Sequence, residues 1–468
     1  MPLARPSVRL LLALAAGTAV LASGSALAAP TAATAHCPHA ASVKVRGAQQ
    51  QDAPACLTDL TTPGLVAAAK TDESDWATLT SLRTAPQPAT PGLQVDGYFP
   101  DDSTHNTESG KDHDAQFVMR FPDAWNGKLL VTGAPGVRKQ YATDRAISDW
   151  AVAHGYAYAA TDKGNSGNDF YTDSLGPGKR PGDSVLEWHQ RVTQVTVAAK
   201  DAVRQVYGRA PQRTYMTGIS NGGYLTRWAL EHHPELYDGG VDWEGTLFTP
   251  QHNLFTFLPV ALRNYPSYQL TGSAAAHEAM IRAGFAPGSE ALWPHHEAVY
   301  WDLTQRAYRE EFDPSYDGAT QAGTPFCPAG LGVPGCDADY DYATRPKAVK
   351  DAVARVSLTG RIGKPMLTLH GTLDTLLPIR QDSDVYDRMV DAAGKGKLHR
   401  YYVVQGGNHV DQLADEFPKV TRPVLPCYYD ALEQLDAWVT RGKAPSPDGT
   451  VPWPSTGDVA NTCTLPGR

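Results

Sequence analysis

The chain reads as an α/β protein, a mostly parallel β-sheet covered by helices on both faces. Three observations predict it. Short apolar strands alternate with helical stretches through the first half of the chain, as strand–helix–strand crossovers require. The composition, 42% hydrophobic, 19% charged and 9% aromatic over 468 residues, describes a large core rather than a disordered, collagenous or coiled-coil chain. A Gly-x-Ser-x-Gly pentapeptide, Gly218 to Gly222, stands where a strand gives way to a helix. Lys and Arg total 41 against 50 Asp and Glu, for a net charge of −9 without a basic run, which argues against nucleic acid as a partner.

At the N-terminus Arg5 and Arg9 precede the apolar run LLLALAAGTAVLA, and Ala26-Leu27-Ala28 offers a small-residue cleavage site. Residues 1–28 therefore read as a secretory signal peptide, in preference to an uncleaved membrane anchor. Cleavage removes two Arg and no acid, so the mature charge becomes −11. The expectation is a secreted, acidic protein with no membrane attachment. Six cysteines in an exported chain suggest three disulfides. Pairing sequence neighbours gives Cys37–Cys56, Cys327–Cys336 and Cys427–Cys463, one of several connectivities. Their spacing makes no zinc ribbon, and no HExxH occurs.

The segments GLQVDGYF and AQFVMRF alternate like strands, and the turn WNGK leads into the apolar strand KLLVTG. The helix-like RAISDWAVAHG, the strand YAYAATD, a helix from Trp188 to Tyr207, and the strands RTYMTG and GGVDWEG follow. The alternation then breaks. Residues 245–345 hold 15 Phe, Trp or Tyr and the helix-like stretches AAAHEAMIRAG and HHEAVYWDLTQRAYREEF. A segment of this kind between buried strands reads as an inserted helical lid, with a plain second packing layer as the alternative. The catalytic domain is then 29–244 plus 346–468. It resumes with the strands KPMLTLHG and HRYYVVQGG and closes on the amphipathic helix DALEQLDAWVTRG.

The pentapeptide suits a nucleophile elbow, in which flanking glycines let the chain turn sharply and lift the Ser220 hydroxyl above the sheet. A serine needs a base, and the base needs a carboxylate to hold its tautomer. On such a scaffold the chain order is Ser, acid, His. Asp374 in LHGTLDTLLP and His409 in VVQGGNHVD satisfy that order, each just past a predicted strand, with Asp242 and Glu244 as rival acids. The oxyanion donors are expected to be the backbone N–H groups of Asn221 and of Ala134, the latter in the turn Gly133-Ala134-Pro135-Gly136.

With these residues in place, the chain resembles an α/β-hydrolase and, within that superfamily, the tannase and feruloyl esterase family. The resemblance runs from about Phe117 to about Pro445 and thins through the insert. It is carried by ATDKGNSG, VRQVYGRAP, HHPELYDGGV, HGTLDTLLP and DAWVTRGKAP. It implies an α/β-hydrolase fold with a lid, a Ser220–His409–Asp374 triad, hydrolysis of small-molecule or oligomeric esters, and no required cofactor. Two departures stand out. Ile219 and Val410 occupy positions where many members carry a pair of disulfide-bonded cysteines. VDWEGTLF replaces a small-residue stretch, so Trp243 and Glu244 are expected to shape the acyl pocket. Phenolic esters of the feruloyl or galloyl type and short aliphatic or aromatic esters therefore share the field with hydroxyalkanoate and other polyester oligomers.

The family lid often holds calcium, and Asp337, Asp339 and Asp341 in CDADYDY present alternate carboxylates. The run lacks the Gly and Glu of an EF-hand, which leaves a non-EF structural calcium loop or a solvated acidic turn. A peptidase or amidase on the same scaffold is an alternative chemistry. A non-catalytic binding protein that keeps the fold is an alternative of another class.

Overall fold

The computed structural model describes residue 37 and residues 43–316 and 337–467. The signal peptide and the Cys327–Cys336 pairing lie outside the described residues. The other two expected disulfides, Cys37–Cys56 and Cys427–Cys463, are formed.

Among the described residues eleven strands make one sheet: β1 Gln50–Gln51, β2 Ala55–Leu57, β3 Gly92–Tyr98, β4 Gln116–Pro122, β5 Lys128–Gly133, β6 Ala157–Thr161, β7 Arg213–Ile219, β8 Gly239–Trp243, β9 Met366–Gly371, β10 His399–Val404 and β11 Gly449–Val451. Their order is β1-β3-β4-β6-β5-β7-β8-β9-β10-β11, with β2 also paired to β3. Pairing is antiparallel from β1 to β6 and parallel from β6 through β5 to β11. The eight longer strands coincide with the apolar segments of the sequence. β1, β2 and β11, at two or three residues, are too short to show a period.

Alternation along the central strands sorts side chains to two cores. Met216 faces the helices Asp183–Tyr207 and Asn221–His232, where Trp188, Val192, Val195, Tyr224 and Leu225 are buried with it. Tyr215, Ile219, Val241, Trp243, Leu367 and Leu369 face the opposite way, toward Tyr428, Leu432 and Leu435 of the helix Leu425–Arg441. The helix Asp183–Tyr207 begins five residues before its apolar periodicity does, with Gly182 at φ 91° ahead of it.

Between β8 and β9 the chain forms the helices Leu258–Thr271, Ala274–Arg282, Trp293–His296, Asp302–Phe312 and Lys347–Arg355. Their aromatic residues are packed rather than exposed: Tyr265, Phe285 and Trp293 cluster with Trp301, whose indole N–H donates to the Thr375 carbonyl at 2.7 Å. That bond ties the insert to the loop that follows β9. Among the described residues no helix is long and apolar enough to cross a membrane.

Several acids are buried without a direct ion pair among the described residues. Burial pushes Asp149 and Asp411 up to about 7 and Glu311 up to about 8, although backbone N–H donors to each oppose the shift and, for Asp149 and Glu311, side-chain donors do so as well. A carboxyl raised in the folded state favours folding fully below its unfolded pKa of about 4, and that advantage is lost as pH rises through 7 to 8. Melting temperature should therefore fall between pH 5 and pH 8 and level off above. Calorimetry at pH 5, 6.5 and 8 checks this, and a rise across that interval would refute it.

Candidate active site

Ser220 sits in the turn between β7 and the helix Asn221–His232, at φ 57° and ψ −119°. A non-glycine residue adopts that conformation at a cost, and here it points the side chain off the end of the strand. The flanking glycines are required by space. A Cβ on Gly218 would come within 2.6 Å of the Gly222 backbone, and one on Gly222 within 2.6 Å of the Gly133 carbonyl. The backbone N–H of Asn221 opens the helix, so it has no intrahelical acceptor. Its side chain is anchored, with Nδ2 donating to the Tyr308 hydroxyl at 2.6 Å and to the Gly136 carbonyl at 3.1 Å.

Asp374, in the loop after β9, is fully enclosed. Its Oδ1 accepts the N–H groups of Leu376 and Leu377, each at 2.8 Å. Its Oδ2 lies 2.8 Å from His409 Nδ1 and 3.2 Å from His370 Nε2. Burial alone would raise this carboxyl, but the charge of His409 and the hydrogen bonds from both imidazoles outweigh it and hold Asp374 well below the usual carboxylate range. His409 follows β10 in the Gly406-Gly407-Asn408 turn and is buried.

Ser220 and His409 open on one cavity of about 470 Å³. Sheet-side loops supply Pro135, Gly136, Val137, Leu376 and Leu377, and the insert supplies Leu254, Val299, Tyr300, Leu303, Ala307 and Tyr308. Ile219 and Val410 are also on its wall. The surface is largely apolar, with Thr78, Arg138, Asn221, Thr246, His295, Thr304 and Gln412 as polar points beside Ser220 and His409.

Four expectations need correction. The Ala134 N–H donates to the Thr161 carbonyl at 3.0 Å, continuing the β5–β6 ladder, so it is not free to meet an oxyanion. The segment Gly136–Val137 reaches the cavity instead. Trp243 is fully buried against Tyr428, ring centroids 5.3 Å apart, because strand alternation turns it to the opposite core. Glu244 is also enclosed, off the cavity wall: its Oε1 accepts the Gly371 N–H at 2.7 Å and its Oε2 lies 3.6 Å from His409 Nδ1. The three alternate aspartates do not converge. Asp337 turns inward to Arg309 at 2.9 Å, Asp341 caps a short helix through the Ala343 N–H, and Asp339 is exposed. That donor set does not fit a calcium ion.

Two features escaped the sequence. His370 on β9 braces Asp374 from beneath, its Nδ1 2.7 Å from Ser383 Oγ and its Nε2 2.9 Å from the Leu377 carbonyl. Arg227, wholly buried, binds Asp242 at 2.6 Å, Asp382 at 2.8 Å and Ser383 at 2.7 Å. Asp242 is thereby committed to Arg227 and Thr368, and Asp374 is the carboxylate that meets His409. The His in the HGTLD motif could have flagged His370; nothing local marks Arg227.

The strand order, the strained serine between β7 and its helix, and the loops after β9 and β10 that carry Asp374 and His409 define an α/β-hydrolase fold. An esterase from Aspergillus oryzae of known structure superposes with a TM-score of 0.50 at 13% identity, covering 87% of this chain and 90% of its own. Residues 102–245 match the family described as tannase and feruloyl esterase, which places the elbow inside the matched segment. The mono(2-hydroxyethyl) terephthalate hydrolase of Piscinibacter sakaiensis is 32% identical over 142 residues, 28% of this chain and 23% of that protein. The D-(-)-3-hydroxybutyrate oligomer hydrolase of Cupriavidus pinatubonensis is 29% identical over 130 residues, 26% of this chain and 18% of that protein. The matched segment thus spans less than a quarter of either relative.

Proposed function

We propose that the protein is a secreted serine hydrolase of carboxylic esters. The observation that carries this reading is the strained Ser220 opening on the same cavity as an imidazole whose far nitrogen is held by Asp374 at 2.8 Å. Ser220 attacks the ester carbonyl while His409 takes its proton. His409 then returns that proton to the leaving alkoxide, and Asp374 keeps the tautomer and stabilises the imidazolium. The Asn221 N–H and the Gly136–Val137 segment face the developing oxyanion. Water deprotonated by His409 releases the acid and restores the serine. Export is supported by the leader and by the disulfides Cys37–Cys56 and Cys427–Cys463.

The helices between β8 and β9 act as a lid in this reading, giving one wall of the acyl site. The apolar lining and Tyr300 and Tyr308 suit an aromatic acyl group, in line with the terephthalate ester named for one relative. The hydroxybutyrate oligomers named for the other support a second reading, an aliphatic polyester oligomer. Comparing kcat/KM for methyl ferulate, methyl gallate, a short p-nitrophenyl ester and a hydroxybutyrate oligomer separates the two, since that ratio measures transition-state discrimination. Activity on none of the four, in protein that is folded, would defeat the ester reading.

A further inference from the structure

Glu244 is a second carboxyl at the nitrogen that Asp374 holds. It immediately follows β8, its N–H donates to the Leu369 carbonyl at 2.9 Å, and its φ of 49° is unusual for a side chain of this size. The turn directs the carboxyl beneath the imidazole rather than into the cavity. Oε1 is fixed by the Gly371 N–H, while Oε2 is buried and has no hydrogen-bond partner among the described residues. That orphan oxygen lies 3.6 Å from His409 Nδ1, 0.8 Å farther than the Asp374 oxygen at 2.8 Å. Glu244 and Asp374 oxygens and a His370 nitrogen fall within 4.8 Å of one another. A buried oxygen without a partner is costly, and here it stands just outside hydrogen-bond reach of the one N–H the mechanism needs to orient.

We propose, on the reading that His409 is the base for Ser220, that Glu244 is a positioning residue: a reserve acid that takes the His409 Nδ1–H when Asp374 does not hold it. Beyond His409, the titratable groups facing it are Asp374, His370, Asp411 and Asp242, the last neutralised by Arg227. Burial first and then the Asp374 charge push the Glu244 carboxyl well above its ordinary range, against the pull of the Gly371 N–H. With Asp374 intact Glu244 is therefore biased toward its protonated form and cedes the imidazole to its neighbour. Removing the Asp374 charge removes the second of those causes, so Glu244 ionises more readily and becomes the charged partner.

The test is a cycle of Asp374→Asn, Glu244→Gln and the double variant, with Asp374→Ala as a second entry to the same cycle. Each is followed by kcat, KM and pH profile on one ester, with folding checked by circular dichroism. Loss of a triad acid with nothing to replace it costs about 10⁴-fold. The Asp374 single variants should lose only about 10²-fold in kcat, and Glu244→Gln added to either should remove a further factor of about 30 or more. The remaining activity of Asp374→Asn should rise with pH above the wild-type plateau as Glu244 ionises, and that limb should vanish in the double variant; a structural role for Glu244 would not produce it. Equal kcat in single and double variants, or the same pH limb in both, overturns the proposal. Full activity in Ser220→Ala would instead overturn the reading on which it rests.

Discussion

Replacing Ser220 by Ala is expected to lower kcat by about 10⁵-fold with little change in KM, because the substitution removes the atom that forms the acyl-enzyme in the proposed mechanism and leaves the cavity walls in place. The residual rate would come from the oxyanion donors and from binding, which do not need the nucleophile. Fluorophosphonate labelling followed by intact-mass measurement checks the same point independently: wild type should gain one adduct and the variant none. An Ala variant within tenfold of wild type, or labelling that persists in it, would remove Ser220 from the mechanism. The turn itself should survive, since its geometry depends on Gly218 and Gly222, where any Cβ would strike backbone.

The largest effect on stability is expected from Arg227→Met. The guanidinium sits at the centre of a buried network joining the helix Asn221–His232, β8 and the segment before the helix Ser383–Ala392. Asp242 Oδ1 also accepts the Gly245 N–H, and Asp382 Oδ2 the Leu247 N–H, so the network sets the start of the insert as well. Methionine fills much of the volume but leaves two buried carboxylates without a cation. Breaking a buried pair in this way costs about 3–5 kcal/mol. Urea unfolding should show that loss in the midpoint at an unchanged m-value. Because Ser383 also braces His370, kcat should fall along with stability. A midpoint within about 0.5 kcal/mol of wild type would show that the network is not needed for the fold. Asp242→Asn combined with Arg227→Met should recover part of the loss, since one stranded charge is removed.

Much of the chain was legible because its signals are local. Strand alternation and apolar runs are written in consecutive residues, and eight strands and the elbow were read from them. Asp374 and His409 were singled out because chain order and position after a strand are sequence properties on this scaffold, and the fold sets them 2.8 Å apart. Readings that depended on where a side chain points fared differently. Trp243 and Glu244 were expected at the acyl pocket, yet β8 alternation sends Trp243 to the opposite core and a positive φ sends Glu244 beneath the imidazole. Ala134 was chosen by excluding Pro135, which has no N–H, but its own N–H is already used by the neighbouring strand.

By itself the sequence determined the α/β architecture and the glycine-flanked turn at Ser220, and it proposed an order of serine, acid and histidine, because each follows from backbone periodicity, glycine geometry or chain order. Only the tertiary structure decided which carboxyl meets His409, which apolar side chains of the insert line the cavity, and that Arg227, Asp242 and Asp382 form one buried network. Those are contacts between residues up to 155 positions apart, decided by differences such as the 0.8 Å between the two carboxyls at His409 and by which charges burial leaves unpaired. Such differences have no trace in the order of the residues.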